Sequence, residues 1–258
     1  MVMNKTSLTR RELAILEKII SDLGYIAHAS DINKLLGQEY SLQEIRRQTS
    51  LLSKRGWLVR IKRGVFAVAG LESHGFANIS PLAVSQILVP ESYVSFEFAL
   101  GYYGLFDQLL SKLTAVTSGN PKKYTFQDMT YEFKKIKSGL YFGFGEMEVN
   151  NIKINVAELE KAFLDFLYFR IDTYSVDLVL EKLRVASADL DLKRLFSYAE
   201  KYPVSVKRRL GYLMELAAIP ADDLHKEIKS RRDFSRLTNQ SDIFNARWRI
   251  YYEDRFSL

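Results

Sequence analysis

The stretch SLQEIRRQTSLLSKRGWLVRIKRGVFAV, residues 41–68, contains the chain's clearest local fold signals. A capping-box pattern, Ser41-Leu-Gln-Glu44, begins a helix, and Gly56 ends it. Two short strands follow, residues 57–61 and 65–68, joined by a basic turn that contains glycine. The stretch therefore predicts a helix that runs directly into a two-stranded hairpin.

The charge of this stretch is predominantly positive. It holds seven basic residues and a single acidic one, Glu44. The basic residues are Arg46, Arg47, Lys54, Arg55, Arg60, Lys62 and Arg63. Residues 1–75 hold 12 Lys/Arg and 7 Asp/Glu, a net charge of +5, whereas residues 76–258 hold 25 and 24, a net charge of +1. A basic lobe joined to a nearly neutral remainder indicates a nucleic-acid module next to a partner domain.

Two further helices precede the hairpin helix. The capping box Thr9-Arg-Arg-Glu12 begins helix 1 and Gly24 ends it; Ser30 begins helix 2 and Gly37 ends it. Helical spacing places an apolar set on the inner faces of helices 1 and 3: Leu13, Leu16, Ile20, Leu23, Leu42, Ile45 and Leu52. Three helices and a hairpin predict a winged helix-turn-helix domain over residues 6–70.

The rest of the chain mixes strands and helices after a linker over residues 69–80. Strands are predicted over 113–117, 131–136, 141–149 and 152–156, and the last two form a hairpin across Asn150-Asn151. Helices are predicted over 157–169 and, in pieces broken near Pro203 and Pro220, over 175–232, with a returning strand in 243–252. The predicted fold class is α+β: an N-terminal winged helix, then a larger mixed α/β domain over residues 80–258.

Composition excludes several classes of protein. The 258-residue chain contains no cysteine, so disulfides and thiolate metal sites are excluded. The first residues lack the apolar run of a signal peptide, and no run of about 18 apolar residues exists for a membrane span. We therefore expect a cytoplasmic protein without a membrane partner.

The basic helix and hairpin contain the candidate DNA-contact residues. The solvent face of helix 3 carries Gln43, Arg46, Arg47, Ser50 and Lys54. Arginine pairs with guanine and glutamine with adenine in the major groove, so this face suits base recognition. Arg60, Lys62 and Arg63 on the hairpin suit phosphates or a minor groove. A solvated helix face, or a winged helix used for protein contacts, are the alternative interpretations.

Other polar and aromatic groups are less informative. The basic clusters Lys207-Arg208-Arg209 and Arg231-Arg232 with Arg236 fit solvated helix ends or a second DNA or toxin contact. The aromatic residues between Tyr93 and Phe169 fit a core, with Tyr102, Tyr103 and Phe106 as candidates for a partner surface.

Signatures of an enzyme are poor. The three histidines show no metal-ligand spacing, so no cofactor or metal site is predicted. Asp128, Glu132 and Lys134 match the acid-x-Lys pattern of a nuclease, but such a triplet arises about twice by chance in this composition.

The order of motifs resembles the AbiEi-type antitoxins of bacterial type IV toxin–antitoxin and abortive-infection operons. The resemblance is carried by LSKRGWLVRIKRGVFAV at 52–68, by SPLAVSQILVPESYVSFEFALGYYGL at 80–105, and by VAELEKAFLDFLYF at 156–169. The resemblance covers about residues 6–170. In the rest of the chain it is limited to a largely helical pattern and to an Asn245-x-x-Trp248 motif near the end.

This resemblance implies a transcriptional autorepressor that is also an antitoxin. The N-terminal domain would bind operator DNA, and the C-terminal domain would counter a nucleotidyltransferase-like toxin without a stable complex. A ligand-responsive regulator without a toxin partner, a metal-dependent nuclease and a toxin-modifying enzyme remain alternatives from the residues themselves.

Overall fold

The described residues form helices and three β-sheets, which fits the predicted α+β class. The structure is a computed structural model that describes residues 7–70, 77–228 and 232–257. Its contacts divide the chain into two compact units. The first comprises Met1–Pro90, Thr125–Met129 and Val149–Ile152; the second comprises Glu91–Tyr124, Thr130–Glu148 and Lys153–Leu258.

The predicted domains, 6–70 and 80–258, are a different division of the chain. They separate at one linker, whereas the first compact unit also includes residues 77–90 and the tips of two later hairpins. Residues 71–76, within the predicted linker, lie outside the described residues. The domain boundaries therefore stay a prediction.

The first unit contains four helices and a small sheet among its described residues. Its elements are α1 (Arg10–Leu23), β1 (Ile26–His28), α2 (Ala29–Leu36), α3 (Leu42–Lys54), β2 (Leu58–Lys62), β3 (Val65–Val68) and α4 (Pro81–Leu88). The sheet is antiparallel, in the order β1-β3-β2. Ile15, Ile19, Ile45, Leu52 and Trp57 are central members of the apolar cluster beneath it.

Local sequence signals account for where these elements begin and end. Thr9 accepts from the Glu12 N–H while the Glu12 carboxylate accepts from the Thr9 N–H, which completes the predicted capping box. Ser41 likewise caps α3 by accepting from the Glu44 N–H. Gly24 caps the end of α1 at φ +80°, a backbone conformation that favours glycine.

Two inward assignments in these helices are wrong. Leu13 is 43% exposed and Leu42 is 56% exposed. Ile15 and Ile19 occupy the buried stripe of α1 instead, together with Leu16. The apolar pattern of α1 fits two overlapping helical stripes, and packing against α2 selects the second of them.

The hairpin departs from simple alternation because it contains a β-bulge. The register shifts between Arg60 and Lys62, so Ile61 has no cross-strand partner. The bulge lets Leu58 and Ile61 both be buried, whereas strict alternation would place them on opposite faces. Leu58 belongs to the predicted strand over residues 57–61 and pairs with Val68.

The second unit begins with a six-stranded sheet. Its elements up to the end of that sheet are β4 (Ser92–Val94), α5 (Phe96–Tyr102), β5 (Lys112–Thr117), β6 (Lys122–Phe126), β7 (Met129–Lys135), β8 (Phe144–Val149) and β9 (Ile152–Ala157). The strand order is β6-β7-β5-β4-β9-β8. Strand β4 is antiparallel to β5 and parallel to β9, so the sheet is mixed. Asn150 and Asn151 both have positive φ, as the predicted tight hairpin turn requires.

Helices and a small sheet complete the second unit. They are α6 (Leu159–Phe169), α7 (Thr173–Val185), α8 (Leu192–Ala199), α9 (Val204–Leu216), α10 (Asp222–Lys226), β10 (Ser235–Arg236), β11 (Ile243–Asn245) and β12 (Ile250–Tyr252). The predicted breaks near Pro203 and Pro220 are confirmed, whereas the break between α7 and α8 and strand β6 were not predicted from the sequence. Residues 229–231, at the end of the predicted helical region, lie outside the described residues. None of the described helices is long and apolar enough to cross a bilayer.

Candidate nucleic-acid interface

The exposed face of α3 carries every polar residue that the sequence analysis assigned to it. Gln43, Arg46, Arg47, Ser50 and Lys54 are all exposed, while Ile45, Gln48 and Leu52 are buried. Residues three and four positions apart stack along one side of a helix, so these side chains form a single stripe. The capped start of α3 and its packing on the apolar cluster hold this stripe toward solvent.

Part of the stripe borders a concave groove. The groove encloses about 510 Å³ and is lined by Ala29, Asn33, Arg46, Thr49, Ser50, Ser53, Lys54, Arg60 and Phe66. The fold therefore brings Arg46, Ser50 and Lys54 of α3 together with Arg60 of the hairpin. Gln43, Arg47 and Arg63 are exposed but do not line it.

Arg60 owes its position to the hairpin pairing. It lies opposite Phe66 in the register of β2 and β3, and its guanidinium carbon is 5.8 Å from the Phe66 ring centroid. The ring supports the guanidinium from one side without neutralising its charge. The bulge that follows Arg60 separates it from Lys62.

Lys62 is placed differently from the other candidate residues. Its side chain is half-buried, and its ammonium donates to the Ile87 carbonyl at the end of α4. Arg63 lies at the exposed turn, and no hydrogen bond from the described residues of a neighbouring element restrains its side chain. The hairpin thus presents Arg60 and Arg63 to solvent and holds Lys62 against its own unit.

Ion pairing divides the basic residues of the first unit. Arg11 pairs with Glu44, Lys18 with Glu39, and Arg55 with Glu12 at 2.7 Å. Within residues 7–70, 77–228 and 232–257, no carboxylate lies within ion-pair distance of the five exposed candidate cations, which are Arg46, Arg47, Lys54, Arg60 and Arg63. The carboxylate on α3, Glu44, is directed to Arg11, so the exposed stripe keeps its positive charge.

The Glu12–Arg55 pair holds the end of α3 in place. Burial raises the pKa of the Glu12 carboxyl, but hydrogen bonds from Thr9 and the nearby Arg55 guanidinium outweigh burial and lower that pKa. Glu12 is therefore ionised at neutral pH. Its bonds to Arg55, the C-cap residue of α3, connect the end of α3 to the start of α1.

Three polar residues that line the groove were not predicted from the sequence. Asn33 comes from α2, and Thr49 and Ser53 from the flank of α3. The helical spacing of Thr49 and Ser53 with Arg46 was a usable signal, since these positions are three and four residues apart. Asn33 had no local signal, because its position depends on how α2 packs against α3.

The other groups singled out in the sequence lie in the second unit. Glu132 is paired with Lys134 at 3.4 Å and with Lys112 at 3.6 Å. Burial raises the pKa of Glu132, but the two lysines outweigh it and lower the pKa below its usual range. Tyr102 and Tyr103 are exposed, at 51% and 39%.

The buried aromatic residues Tyr93, Phe96, Phe163 and Phe166 form core, as expected. In the basic clusters, Arg208 is buried, and Arg209 donates to the backbone carbonyls of Leu167 and Arg236. Lys207 is half-buried, whereas Arg232 and Arg236 are exposed. Arg231 lies outside the described residues.

Comparison with known proteins gives a fold relationship. No protein-family model matches the chain, and no curated protein sequence matches it. The fold is similar to that in the crystal structure of the RV2827C protein from Mycobacterium tuberculosis, with a TM-score of 0.67 over 97% of this chain and 94% of that chain. The two sequences are 13% identical, so the likeness concerns the fold.

Proposed function

We propose that residues 7–70 form a winged helix-turn-helix that binds duplex DNA. The convergence of Arg46, Lys54 and Arg60 on one groove, with no described carboxylate paired to any of them, is the observation that supports this most directly. The exposed stripe of α3 contains arginine, glutamine and serine, which are side chains that contact base edges in the major groove. The flanking hairpin cations match contacts to phosphates.

We further propose that the chain is an autorepressor and antitoxin of a type IV system. The support for this part is the order of motifs that resembles the AbiEi-type antitoxins. In this proposal the first unit represses the chain's own operon, and the second unit counters a nucleotidyltransferase-like toxin. The groove supports the proposal of DNA binding and does not bear on how the toxin is countered.

Replacing Arg46 by alanine tests base recognition. We expect R46A to weaken binding to the DNA upstream of the chain's own gene by about 5- to 150-fold, the equivalent of about 1–3 kcal/mol for one specific arginine contact. Binding to unrelated duplex DNA should change much less. Fluorescence anisotropy with the full-length chain measures both, and K18A, which removes an ion-paired cation of α1, is the matched control. Equal losses on both DNAs, or no loss beyond that of K18A, would contradict a base-reading role.

The two hairpin cations should differ in their salt dependence. Replacing Arg63 by alanine removes an exposed cation, so we expect the slope of log affinity against log salt to fall by about 0.9. Replacing Lys62 by alanine should change the slope by much less, since its ammonium is directed to the Ile87 carbonyl. Titrations between about 50 and 200 mM salt separate the two. A larger slope change for K62A than for R63A would show that Lys62 leaves Ile87 to contact DNA.

Antitoxin activity is tested by co-expression. A nucleotidyltransferase-like reading frame that neighbours this gene is expressed with the full chain or with its R46A/R60A variant. We expect both to restore growth, because the variant removes DNA contacts and leaves the second unit unchanged. Failure of the unmodified chain to restore growth would exclude the antitoxin role while leaving the DNA-binding result intact.

A further inference from the structure

Four basic side chains surround a second cavity, within the second unit. The cavity encloses about 530 Å³. The lining residues that matter to its chemistry are Arg208, His225, Lys226, Arg247, Trp248 and Arg249. Helix α9, helix α10 and the loop between β11 and β12 each contribute at least one of them, so the cations are brought together by three elements that are separate in sequence.

Arg208 supplies a buried positive charge. Its side chain is on α9 and only 1% of the residue is exposed. Burial lowers the pKa of its guanidinium, and the nearby positive charge of Arg249 lowers it further, while Asp233 acts in the opposite direction. Arg208 and Arg249 both line this cavity, and charges act more strongly where water is excluded.

The loop between β11 and β12 holds its side chains in a fixed arrangement. The Asn245 side-chain oxygen accepts from the backbone N–H of Trp248 at 3.0 Å. Arg249 follows at φ +51°, a left-handed conformation that is uncommon for a residue with a side chain. His225 Nε2 donates to the Arg247 carbonyl at 3.0 Å, which connects α10 to the loop.

Arg249 is oriented by carbonyl groups. Its guanidinium donates to the Asp233 carbonyl at 3.0 Å and to the Arg232 carbonyl at 3.5 Å. Carbonyl oxygens fix the direction of a guanidinium without cancelling its charge. Among the described residues, no carboxylate lies within ion-pair distance of Arg249.

The other two surface cations are held by carboxylates that do not line the cavity. Arg247 pairs with Glu215 at 2.9 Å and with Asp222 at 2.5 Å. Lys226 pairs with Asp223 at 2.8 Å. The carboxylates position these side chains from outside, and no acidic residue is among the described residues that line the cavity.

We propose that this cavity binds the phosphate group of a nucleotide-sized ligand. Arginine side chains supply the forked donors that recognise phosphate oxygens, and Arg249 has an orientation fixed in advance of binding. The cavity volume is in the range of small-ligand sites, so it accommodates more than a free ion. This site is in the second unit and does not depend on the proposed DNA binding.

Titration with adenosine monophosphate tests the site. The full-length chain carries two tryptophans, Trp57 and Trp248, so fluorescence of the W57F variant reports the cavity wall. We expect a saturable change with a Kd of about 1 mM or tighter. R249Q should weaken it by about tenfold, the loss of one charge-assisted contact. Inorganic phosphate should compete, and adenosine, which lacks phosphate, should not.

R255Q is the matched control, because Arg255 is an exposed arginine of the same unit that pairs with Asp177 and does not line the cavity. It should bind adenosine monophosphate as the parent does. If phosphate binds as tightly as the nucleotide, the occupant is a free phosphate and the proposal of a nucleotide-sized ligand is overturned. No saturable change up to about 10 mM, well beyond millimolar affinity, would overturn the proposal. Equal affinities for R249Q and R255Q, or adenosine binding as well as its monophosphate, would overturn it too.

Discussion

Replacement of Lys161 by methionine is expected to destabilise the protein by about 3–5 kcal/mol. Lys161 is on α6 and is fully buried, as is Asp165 one turn later, with which it forms an ion pair. Its ammonium also donates to the Tyr93 hydroxyl at 2.6 Å and to the Tyr202 hydroxyl at 2.7 Å. Methionine fills a similar volume but leaves the Asp165 carboxylate in the core without a cation.

The surroundings of Asp165 show why the remaining contacts are insufficient. Tyr93 and Ser95 donate to one carboxylate oxygen at 3.0 and 2.9 Å, and Tyr202 donates to the other at 2.9 Å. Hydroxyl donors stabilise the carboxylate but do not neutralise it, and a buried charge that has lost its partner is strongly unfavourable. The network joins β4, α6 and the residue before Pro203 within the second unit.

Urea unfolding followed by circular dichroism measures the loss. K153M is the control, because Lys153 forms an exposed pair with Glu146 and should cost less than about 1 kcal/mol. The double variant K161M/D165N removes both charges, so it should be more stable than K161M alone. A K161M protein as stable as K153M would mean that Asp165 takes up a proton or reaches water at little cost.

The elements that the sequence predicted well are those set by neighbouring residues. The capping box at Thr9 and the Ser41 side-chain cap each involve residues three positions apart, so the local sequence contains their partners. The predicted reciprocal bond from Glu44 back to Ser41 does not form, because the Glu44 carboxylate binds Arg11. The tight turn at Asn150-Asn151 is similarly local, since both residues tolerate positive φ. Strand β1 was missed because Ile26–His28 is only three residues long and is defined by its pairing with β3.

The candidate DNA interface was predictable in part for the same reason. Helical spacing identified the exposed stripe of α3, because a period of 3.6 residues is a property of the helix alone. Lys62 was grouped with Arg60 and Arg63 as a hairpin cation, but a bulge separates Lys62 from Arg60. The contact of Lys62 with Ile87 involves residues 25 positions apart, and nothing in the local pattern indicates it.

Replacement of Gly211 by alanine is expected to destabilise the protein, by about 3 kcal/mol, where helix propensity alone predicts a gain. Gly211 lies inside α9, and alanine is favoured over glycine in a helix interior by about 1 kcal/mol. A Cβ at this position would lie 2.0, 2.1 and 2.6 Å from three carbon atoms of the Trp248 ring. Overpacking of a filled core typically costs about 1–3 kcal/mol, and contacts this short belong at the upper end.

The Trp248 ring has little freedom to relieve that contact. It is 1% exposed, its backbone N–H is held by Asn245, and the His225 ring meets it edge-on at 5.0 Å. G145A is the control, because a Cβ there meets nothing within 4 Å and should change stability by less than about 1 kcal/mol. The midpoint of urea unfolding measures the loss of stability, and fluorescence in a W57F background measures the change around Trp248. If G211A is at least as stable as the parent, α9 and the Trp248 ring must lie farther apart than they do in this structure. Close packing of the ring on Gly211 would then not be what holds the C-terminal sheet against α9.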